Sequence, residues 1–123
     1  MSPRQSPATM HELQRVALLQ GLGGDDLGRL AARMEREQVA AGHAIVAEGE
    51  ESDRFYVVLA GMLTVSQEAL GARRVLRPGD YFGEVAAATG VPRTASVRAL
   101  TPSTVASCDR ATFEELVKPL FSS

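Results

Sequence analysis

Glycine recurs at short intervals between Gln38 and Cys108 and divides this part of the chain into short apolar segments. Glycines at positions 42, 49, 61, 71 and 79 separate segments that have the length and residue types of strands. Many short strands separated by turns are typical of a small barrel or jelly roll. We therefore expect a mainly β fold, either a small barrel or a jelly roll.

Helical patterns flank this β region on both sides. From Met10 to Glu37, apolar residues recur at helical spacing in two groups on either side of a glycine-rich stretch: Leu13, Val16, Ala17 and Leu19, then Leu27, Leu30, Ala31 and Met34. After the β region, Asp109 is placed to cap a last helix that runs through Phe113 towards Pro119. The sequence thus predicts two short N-terminal helices and one C-terminal helix around the roll.

Length and charge bound the organisation of the chain. Its 123 residues suit one domain with a single core, which we assign to residues 9–123, after a flexible Ser/Pro-rich tail at residues 1–8. The net charge of −2 argues against a nucleic-acid-binding surface. No apolar run is long enough to span a membrane, and the N-terminus lacks a signal-peptide core. We expect a cytoplasmic protein that binds neither nucleic acid nor membrane.

The sequence contains no pattern typical of a catalytic or metal centre. His11, His43 and Cys108 lie in unrelated elements and do not form a ligand set, and no serine or cysteine has the setting of an activated nucleophile. A metal enzyme of the cupin type would need several histidines on adjacent strands. We therefore expect no catalytic residues, no metal and no cofactor, and we expect Cys108 to be a small buried hydrophobe.

The segment at residues 82–97 carries the candidate binding chemistry. Gly83 permits close approach of the backbone to a ligand. Glu84 follows at the start of a predicted short helix, where unpaired N–H groups favour an anion. Gly90 is suited to end that helix, so Arg93 lies at a fixed position beside its opening. A carboxylate accepts a hydrogen bond from a sugar hydroxyl and a guanidinium matches a phosphate, so this segment predicts a sugar-phosphate site.

Taken alone, Glu84 and Arg93 would be explained as well by a surface ion pair, but their neighbours carry a resemblance. Phe-Gly-Glu at residues 82–84, followed by Arg-Thr-Ala-Ser-Val-Arg-Ala from Arg93, resembles the phosphate-binding cassette of the cyclic nucleotide-binding domain family. This family occurs in cAMP receptor proteins, kinase regulatory subunits and cyclic-nucleotide-gated channels. Three further stretches resemble its first hairpins and the turn before the cassette: Glu48-Gly49-Glu50, Phe55-Tyr56-Val57-Val58 and Pro78-Gly79-Asp80-Tyr81.

The resemblance implies a role for each matched position. Glu84 would accept the ribose 2′-hydroxyl, Arg93 would pair with the cyclic phosphate, and Thr94 would contact the phosphate or a guanine amino group. Backbone N–H groups would complete the anion cradle, those of Gly83, Val85 or Ala86, and Ala95. The candidates for the base pocket are Arg74, Leu76 and Val85. The expected ligand is a cyclic nucleotide, with cAMP favoured and cGMP open.

The resemblance also implies the fold, an antiparallel β-roll of the double-stranded jelly-roll kind, and a regulatory role. Binding would move the terminal helices and so act on an effector outside this chain. The chain itself would not be an enzyme. The alternative is a module of the same fold that has lost its ligand and serves protein interaction or dimerisation. Formation of a homodimer stays open at this point.

Overall fold

The computed structural model describes residues 8–121, except for the side chains of residues 72 and 73. Its elements, in chain order, are helix α1 (Met10–Leu13), a 3-10 helix (Ala17–Gly21), α2 (Gly24–Arg33), β1 (Glu35–Val39), β2 (Ala44–Val46), β3 (Phe55–Ala60), β4 (Leu63–Gln67), β5 (Gly71–Leu76), β6 (Tyr81–Phe82), α3 (Glu84–Thr89), β7 (Ser96–Ala99) and β8 (Ser103–Cys108). A C-terminal helix follows, made of α4 (Arg110–Thr112), a π-helical turn (Phe113–Val117) and a 3-10 turn (Lys118–Phe121).

The strands form two four-stranded antiparallel sheets. One sheet has the order β1-β8-β3-β6 and the other the order β2-β7-β4-β5, and every paired neighbour runs antiparallel. Neighbours in each sheet are mostly distant in sequence, as in a roll folded from hairpins. The predicted antiparallel β-roll with flanking helices is therefore confirmed.

Strand β3 is buried on both faces, and this explains its unbroken apolar sequence. Tyr56 and Val58 point between the two sheets, whereas Phe55 and Val57 point to the helices, because successive side chains of a strand face opposite ways. The first set belongs to a core inside the roll, and the second to a core between the sheet and the helices. The inner core consists of Val39, Val46, Tyr56, Val58, Leu63, Leu76, Phe82, Val97, Ala99 and Val105.

The glycines predicted to form turns all adopt positive φ angles, from 71° at Gly71 to 97° at Gly79. Gly61 is the most tightly enclosed. A Cβ atom there would lie 2.3 Å from the Ser103 hydroxyl and 2.5 Å from the Pro102 carbonyl. The turn between β3 and β4 therefore needs glycine both for its backbone angle and for the contact with β8.

The N-terminal helices differ from the prediction. The first group of apolar residues forms one α-helical turn and a separate 3-10 helix, because Val16 has extended backbone angles, and Ala17 is exposed. The second helix ends at Arg33, and residues 35–37 belong to β1, where pairing with β8 replaces helical hydrogen bonds. Ala8, assigned to the tail, is buried and donates to the Met34 carbonyl at 3.1 Å. Residues 1–7 of the predicted tail lie outside the described residues.

The C-terminal helix begins as expected. The Asp109 carboxylate accepts a hydrogen bond from the Thr112 N–H at 2.9 Å, and hydrogen bonding to the side chain and then the main chain of Thr112 lowers the pKa of Asp109. The helix continues beyond Pro119 as far as Phe121. Just before it, Cys108 is buried at the end of β8, and burial raises the pKa of its thiol to about 12. The predicted role of Cys108 as a buried hydrophobe agrees with this placement.

A surface ion-pair cluster joins α2 to the C-terminal helix. We use this name for Asp26, Arg29, Arg33 and Glu115. Arg29 pairs with Asp26 at 3.2 Å and with Glu115, and Arg33 pairs with Glu115 at 2.8 Å. Arg36 lies on β1 and pairs with Glu12 at 3.1 Å. These arginines form ion pairs rather than a continuous basic track.

Two further features concern only residues 8–121. No helix in this range is both long and apolar enough to cross a membrane. Nor does this range bring together three or more His, Cys, Asp or Glu side chains in a geometry suited to a metal ion. His11 and His43 are both exposed and lie in separate parts of the fold.

Candidate ligand-binding site

Helix α3 is delimited by two glycines in the left-handed conformation. Gly83 precedes it with φ 89° and Gly90 follows it with φ 76°. The Gly90 N–H donates to the Ala86 carbonyl at 2.7 Å, as expected for a helix that ends on glycine. Between these caps, Ala86 and Ala87 are buried, so the helix packs closely on the roll. The predicted start and stop of this short helix are both confirmed.

Gly83 also occupies a space that no side chain could share. A Cβ atom at this position would lie 2.7 Å from the Arg54 carbonyl oxygen and 2.7 Å from Nη1 of Arg93. Real Cβ contacts of this length require a neighbour to move. Glycine at position 83 therefore fixes how closely the start of α3 approaches the Arg93 guanidinium.

Arg93 is a buried cation at the inner end of this region. Only 6% of the residue is exposed. Its Nη2 donates to the Arg54 carbonyl at 2.8 Å and to the Ser52 hydroxyl at 3.3 Å, and its guanidinium carbon lies 5.8 Å from the centre of the Tyr56 ring. This distance is within the range of a cation–π contact. Neutral groups thus hold Arg93 in place.

Within the described part of the chain, the charge of Arg93 has no close anion. Among residues 8–121, none of the ion pairs includes Arg93, and its buried Nε has no hydrogen-bond partner. Burial lowers the pKa of Arg93, although Tyr56 and Glu50 act in the opposite direction. An arginine stays protonated in such surroundings. A desolvated cation of this kind is stabilised by an anion that reaches it.

The backbone around Arg93 is fixed by the loop before β3. The Gly49 N–H donates to the Arg93 carbonyl at 2.8 Å, and the Arg93 N–H donates to the Glu50 carbonyl at 3.0 Å. The Glu48 N–H in the same loop donates to the Ser96 hydroxyl at 2.9 Å. These bonds join the loop before β3 to the segment that contains Arg93. Hydrogen bonds therefore fix both the main chain and the guanidinium of Arg93.

A cavity of about 170 Å³ opens beside Arg93. It lies between α3, the segment after α3, and residues of β2, β4, β5 and β7, and its size suits a small molecule rather than a polypeptide segment. Glu84 and Arg93 both line it, and Glu84 is partly exposed to solvent. One cavity therefore combines a carboxylate, a buried guanidinium and the first turn of a helix.

The structure brings together most of the residues proposed from the sequence. Eight line the cavity: Arg74, Gly83, Glu84, Val85, Ala86, Arg93, Thr94 and Ala95. Leu76 does not line it. It is 1% exposed and packs in the inner core, opposite Leu63 in the pairing of β4 with β5. Because side chains alternate in direction along β5, Leu76 faces the inner core. It therefore does not line the cavity, in contrast to its predicted place in the base pocket.

Most other residues around the cavity carry no clear local signal in the sequence. The cavity wall includes Val46, Val65, Phe82 and Val97, whose positions on separate strands become neighbours only when the roll closes. Ser52, Arg54 and Tyr56, which hold Arg93, precede it by about forty residues. The apolar alternation of β4 and β7 was a usable signal for Val65 and Val97, whereas no local pattern indicates a backbone carbonyl as partner of Arg93.

Comparison with known families and proteins agrees with this geometry. A family model described as "Cyclic nucleotide-binding domain" matches residues 36–119. The chain is 36% identical over 108 residues to a cAMP-dependent protein kinase regulatory subunit of Eremothecium gossypii, covering 88% of this chain and 24% of that protein. It is 34% identical over 119 residues to the cGMP-dependent protein kinase egl-4 of Caenorhabditis elegans, covering 92% of this chain and 15% of that protein. The chain thus spans about a quarter or less of these relatives.

Solved structures show the same similarity. The regulatory domain of Toxoplasma gondii PKA, crystallised with cAMP, superposes with a TM-score of 0.86 at 29% sequence identity. The superposition covers 92% of this chain and 45% of that one. The overall fold is therefore shared with a protein crystallised with cAMP.

Proposed function

Because the chain belongs to the cyclic nucleotide-binding domain family, we propose that it binds cAMP or cGMP in the cavity beside α3. The cyclic phosphate contacts Arg93 and the N–H groups at the start of α3, and the ribose 2′-hydroxyl donates to Glu84. The proposed cradle includes the N–H groups of Gly83, Val85 or Ala86, and Ala95. No catalytic step is part of this function, and no cofactor other than the nucleotide ligand takes part.

The burial of Arg93 without a paired carboxylate carries this proposal. A structural arginine in a protein interior is normally paired with an acid, because an unpaired buried charge is costly. Here the guanidinium is held by neutral acceptors at one end of an open cavity. A phosphate that enters this cavity supplies the missing negative charge and forms strong, charge-assisted hydrogen bonds.

The choice of base depends on two further lining residues. Arg74 and Thr94 both line the cavity. A guanidinium only donates hydrogen bonds, so Arg74 matches the O6 and N7 acceptors of guanine, whereas adenine offers N7 together with an amino donor. The relatives include both a cAMP-dependent and a cGMP-dependent kinase protein. We therefore keep both nucleotides as candidates and propose that Arg74 contributes to the choice between them.

Ligand binding would act on the rest of the protein through the C-terminal helix. Nη2 of Arg110, in the first turn of that helix, donates to the Ala88 carbonyl at the end of α3, at 3.5 Å. A shift of α3 towards a bound phosphate would thus change the contact at the start of the C-terminal helix. The ligand favours one helix arrangement only by binding it more tightly than the other. We propose that an effector outside this chain responds to that change.

A thermal-shift experiment tests the proposal. A ligand present at about 100 times its dissociation constant adds roughly 2.7 kcal/mol to the free energy of unfolding, which for a domain of this size is a rise in melting temperature of about 10 °C. We expect this rise with cAMP, cGMP or both. The noncyclic 5′-monophosphates serve as controls for unspecific stabilisation by nucleotides.

The alternative of a ligand-free interaction module makes the opposite prediction. In that case the melting temperature would stay the same at millimolar concentrations of either cyclic nucleotide. The oligomeric state, measured by light scattering on the same samples, then becomes the informative quantity. A rise in melting temperature that is as large in Arg93→Ala as in the wild type, measured at the same nucleotide concentration, would show binding elsewhere and would contradict the proposed site.

A further inference from the structure

Arg54, the residue just before β3, connects three parts of the fold through its side chain. Its Nε donates to the Ser107 hydroxyl at 3.0 Å, and its Nη2 donates to the Ser107 carbonyl at 3.3 Å. The same Nη2 pairs with the Glu35 carboxylate at 2.9 Å. Ser107 belongs to β8 and Glu35 to β1, so the Arg54 guanidinium fixes its own residue to two strands of the sheet.

The main chain of Arg54 faces the candidate phosphate site. Its carbonyl oxygen accepts from Nη2 of Arg93 at 2.8 Å. The same oxygen lies 2.7 Å from the position that a Cβ of Gly83 would take. One carbonyl group is therefore in contact with both the buried cation and the glycine that precedes α3.

We propose that Arg54 is a positioning residue for Arg93. The inference rests on the proposed function, because it concerns the same phosphate site, but it adds a residue that does not touch the ligand cavity. The side-chain bonds of Arg54 to β8 and β1 hold its carbonyl in place, and the carbonyl orients the Arg93 guanidinium towards the phosphate position. Neither the sequence motif nor the cavity lining includes Arg54.

Loop geometry explains why such a residue is needed. Residues 47–54 join β2 to β3 and contain no helix or strand, so the Arg54 carbonyl is not fixed by a sheet ladder on its loop side. Among the described residues, no ion pair orients Arg93. A small displacement of the carbonyl would let the guanidinium turn, and oriented hydrogen bonds to an anion depend on that angle.

A double-mutant cycle tests the proposal with the complete chain and the nucleotide that stabilises the wild type more. Arg54→Ala should weaken binding about three- to ten-fold, the size expected for imperfect rather than lost hydrogen bonds. In an Arg93→Ala background, the same substitution should have no further effect, because Arg54 acts through Arg93. Titration calorimetry, extended to millimolar nucleotide for the weak variants, measures all four affinities.

Two additional variants separate positioning from general destabilisation. Ser107→Ala removes one anchor of Arg54 and should weaken binding in the same direction but less. Arg77→Ala, at an exposed position in the turn between β5 and β6, is the matched control and should leave the affinity unchanged. Replacing the nucleotide by its 2′-deoxy analogue should lower the affinity by the same factor in Arg54→Ala as in the wild type. The reason is that Glu84 contacts the ribose independently of Arg54.

Each outcome of the cycle decides the matter. Equal affinities of Arg54→Ala and wild type, or an equal loss with and without Arg93, would overturn the positioning role while the proposed function stands. A reduced 2′-deoxy effect in Arg54→Ala would also overturn it, since the whole site would then be loosened. Failure of the wild type to bind either nucleotide would refute the proposed function, and this inference with it.

Discussion

Two groups of arginines in this protein have opposite surroundings. In the surface ion-pair cluster, Arg29 and Arg33 are about half exposed and share the Glu115 carboxylate. Beside the cavity, Arg93 is buried and its guanidinium contacts a carbonyl, a hydroxyl and an aromatic face. The charges of Arg29 and Arg33 are paired with carboxylates, whereas the charge of Arg93 has no such partner among the described residues.

This difference separates a structural role from a binding role. Exposed ion pairs contribute little to stability because water and salt screen them. A buried cation without a paired acid costs free energy in the folded protein, and such a cost is tolerated where a ligand removes it. Charge alone does not distinguish these arginines; burial and the identity of the acceptors do.

The largest expected effect comes from removing the buried cation. Arg93→Ala should weaken binding of the preferred cyclic nucleotide by about 2 to 5 kcal/mol, because the phosphate loses its charged partner in a desolvated site. Arg93→Lys should recover only part of this loss, since a lysine lacks the planar fork. Titration calorimetry measures both values. An unchanged affinity in Arg93→Ala would remove the contrast between the two arginine groups.

A smaller loss is expected at the sugar end of the cavity. Glu84→Gln should cost about 1.5 to 3 kcal/mol, the range for a hydrogen bond to a charged group. The wild type should lose a similar amount with the 2′-deoxy nucleotide, and the two losses should not add when combined. Glu51→Gln, on the exposed loop before β3, is the control. Full additivity would mean that Glu84 does not contact the 2′-hydroxyl.

The base end should show an effect on selectivity rather than on overall affinity. Arg74→Ala should lower the affinity for cGMP relative to cAMP by about 1 to 3 kcal/mol if the guanidinium contacts O6 and N7. Thr94→Ala should change the ratio in the same direction through the guanine amino group. Competition between the two nucleotides for one bound probe gives the ratio directly. A constant ratio in both variants would assign base recognition to other residues.

The smallest effect is expected in the surface ion-pair cluster. The hydrogen bond that Glu115 accepts from Arg33 lowers the pKa of Glu115. The stabilising contribution of Glu115 is therefore present above the ordinary carboxyl pKa and is lost as pH falls through the lowered value. Glu115→Gln should therefore melt slightly lower than the wild type at neutral pH, and this difference should vanish in acid and at high salt. Nucleotide affinity should not change. A large loss of affinity would show that the cluster takes part in ligand coupling.

The cassette was the most predictable part because its determinants are local. Gly83 and Gly90 bracket a short helix, and the backbone angles that only glycine adopts easily mark both ends. The pattern around Glu84 and Arg93 adds the chemistry. Neighbouring residues in sequence are neighbours in this part of the fold, so the residues that line the cavity here were identified from the sequence.

The N-terminal region was less predictable, for a physical reason. Helical spacing from Met10 to Glu37 continued past the real end of α2, because Met34 is buried at the junction whether the chain is helix or strand there. Pairing of β1 with β8 makes residues 35–39 a strand instead of a continuation of α2. That pairing joins residues about seventy positions apart in sequence. Leu76 was misplaced for the same reason: the face of a strand that meets the core depends on its partners.

The sequence by itself determined the β-roll, the limits of the cassette helix and the pair Glu84 and Arg93, because glycine backbone freedom and short apolar alternation act over a few residues. Tertiary structure decided which side chains close the cavity and how Arg93 is held. Its partners, Ser52 and the Arg54 carbonyl, lie on a distant loop. A carbonyl carries no side-chain signature in the sequence, so only folding could reveal that the arginine is buried beside neutral acceptors.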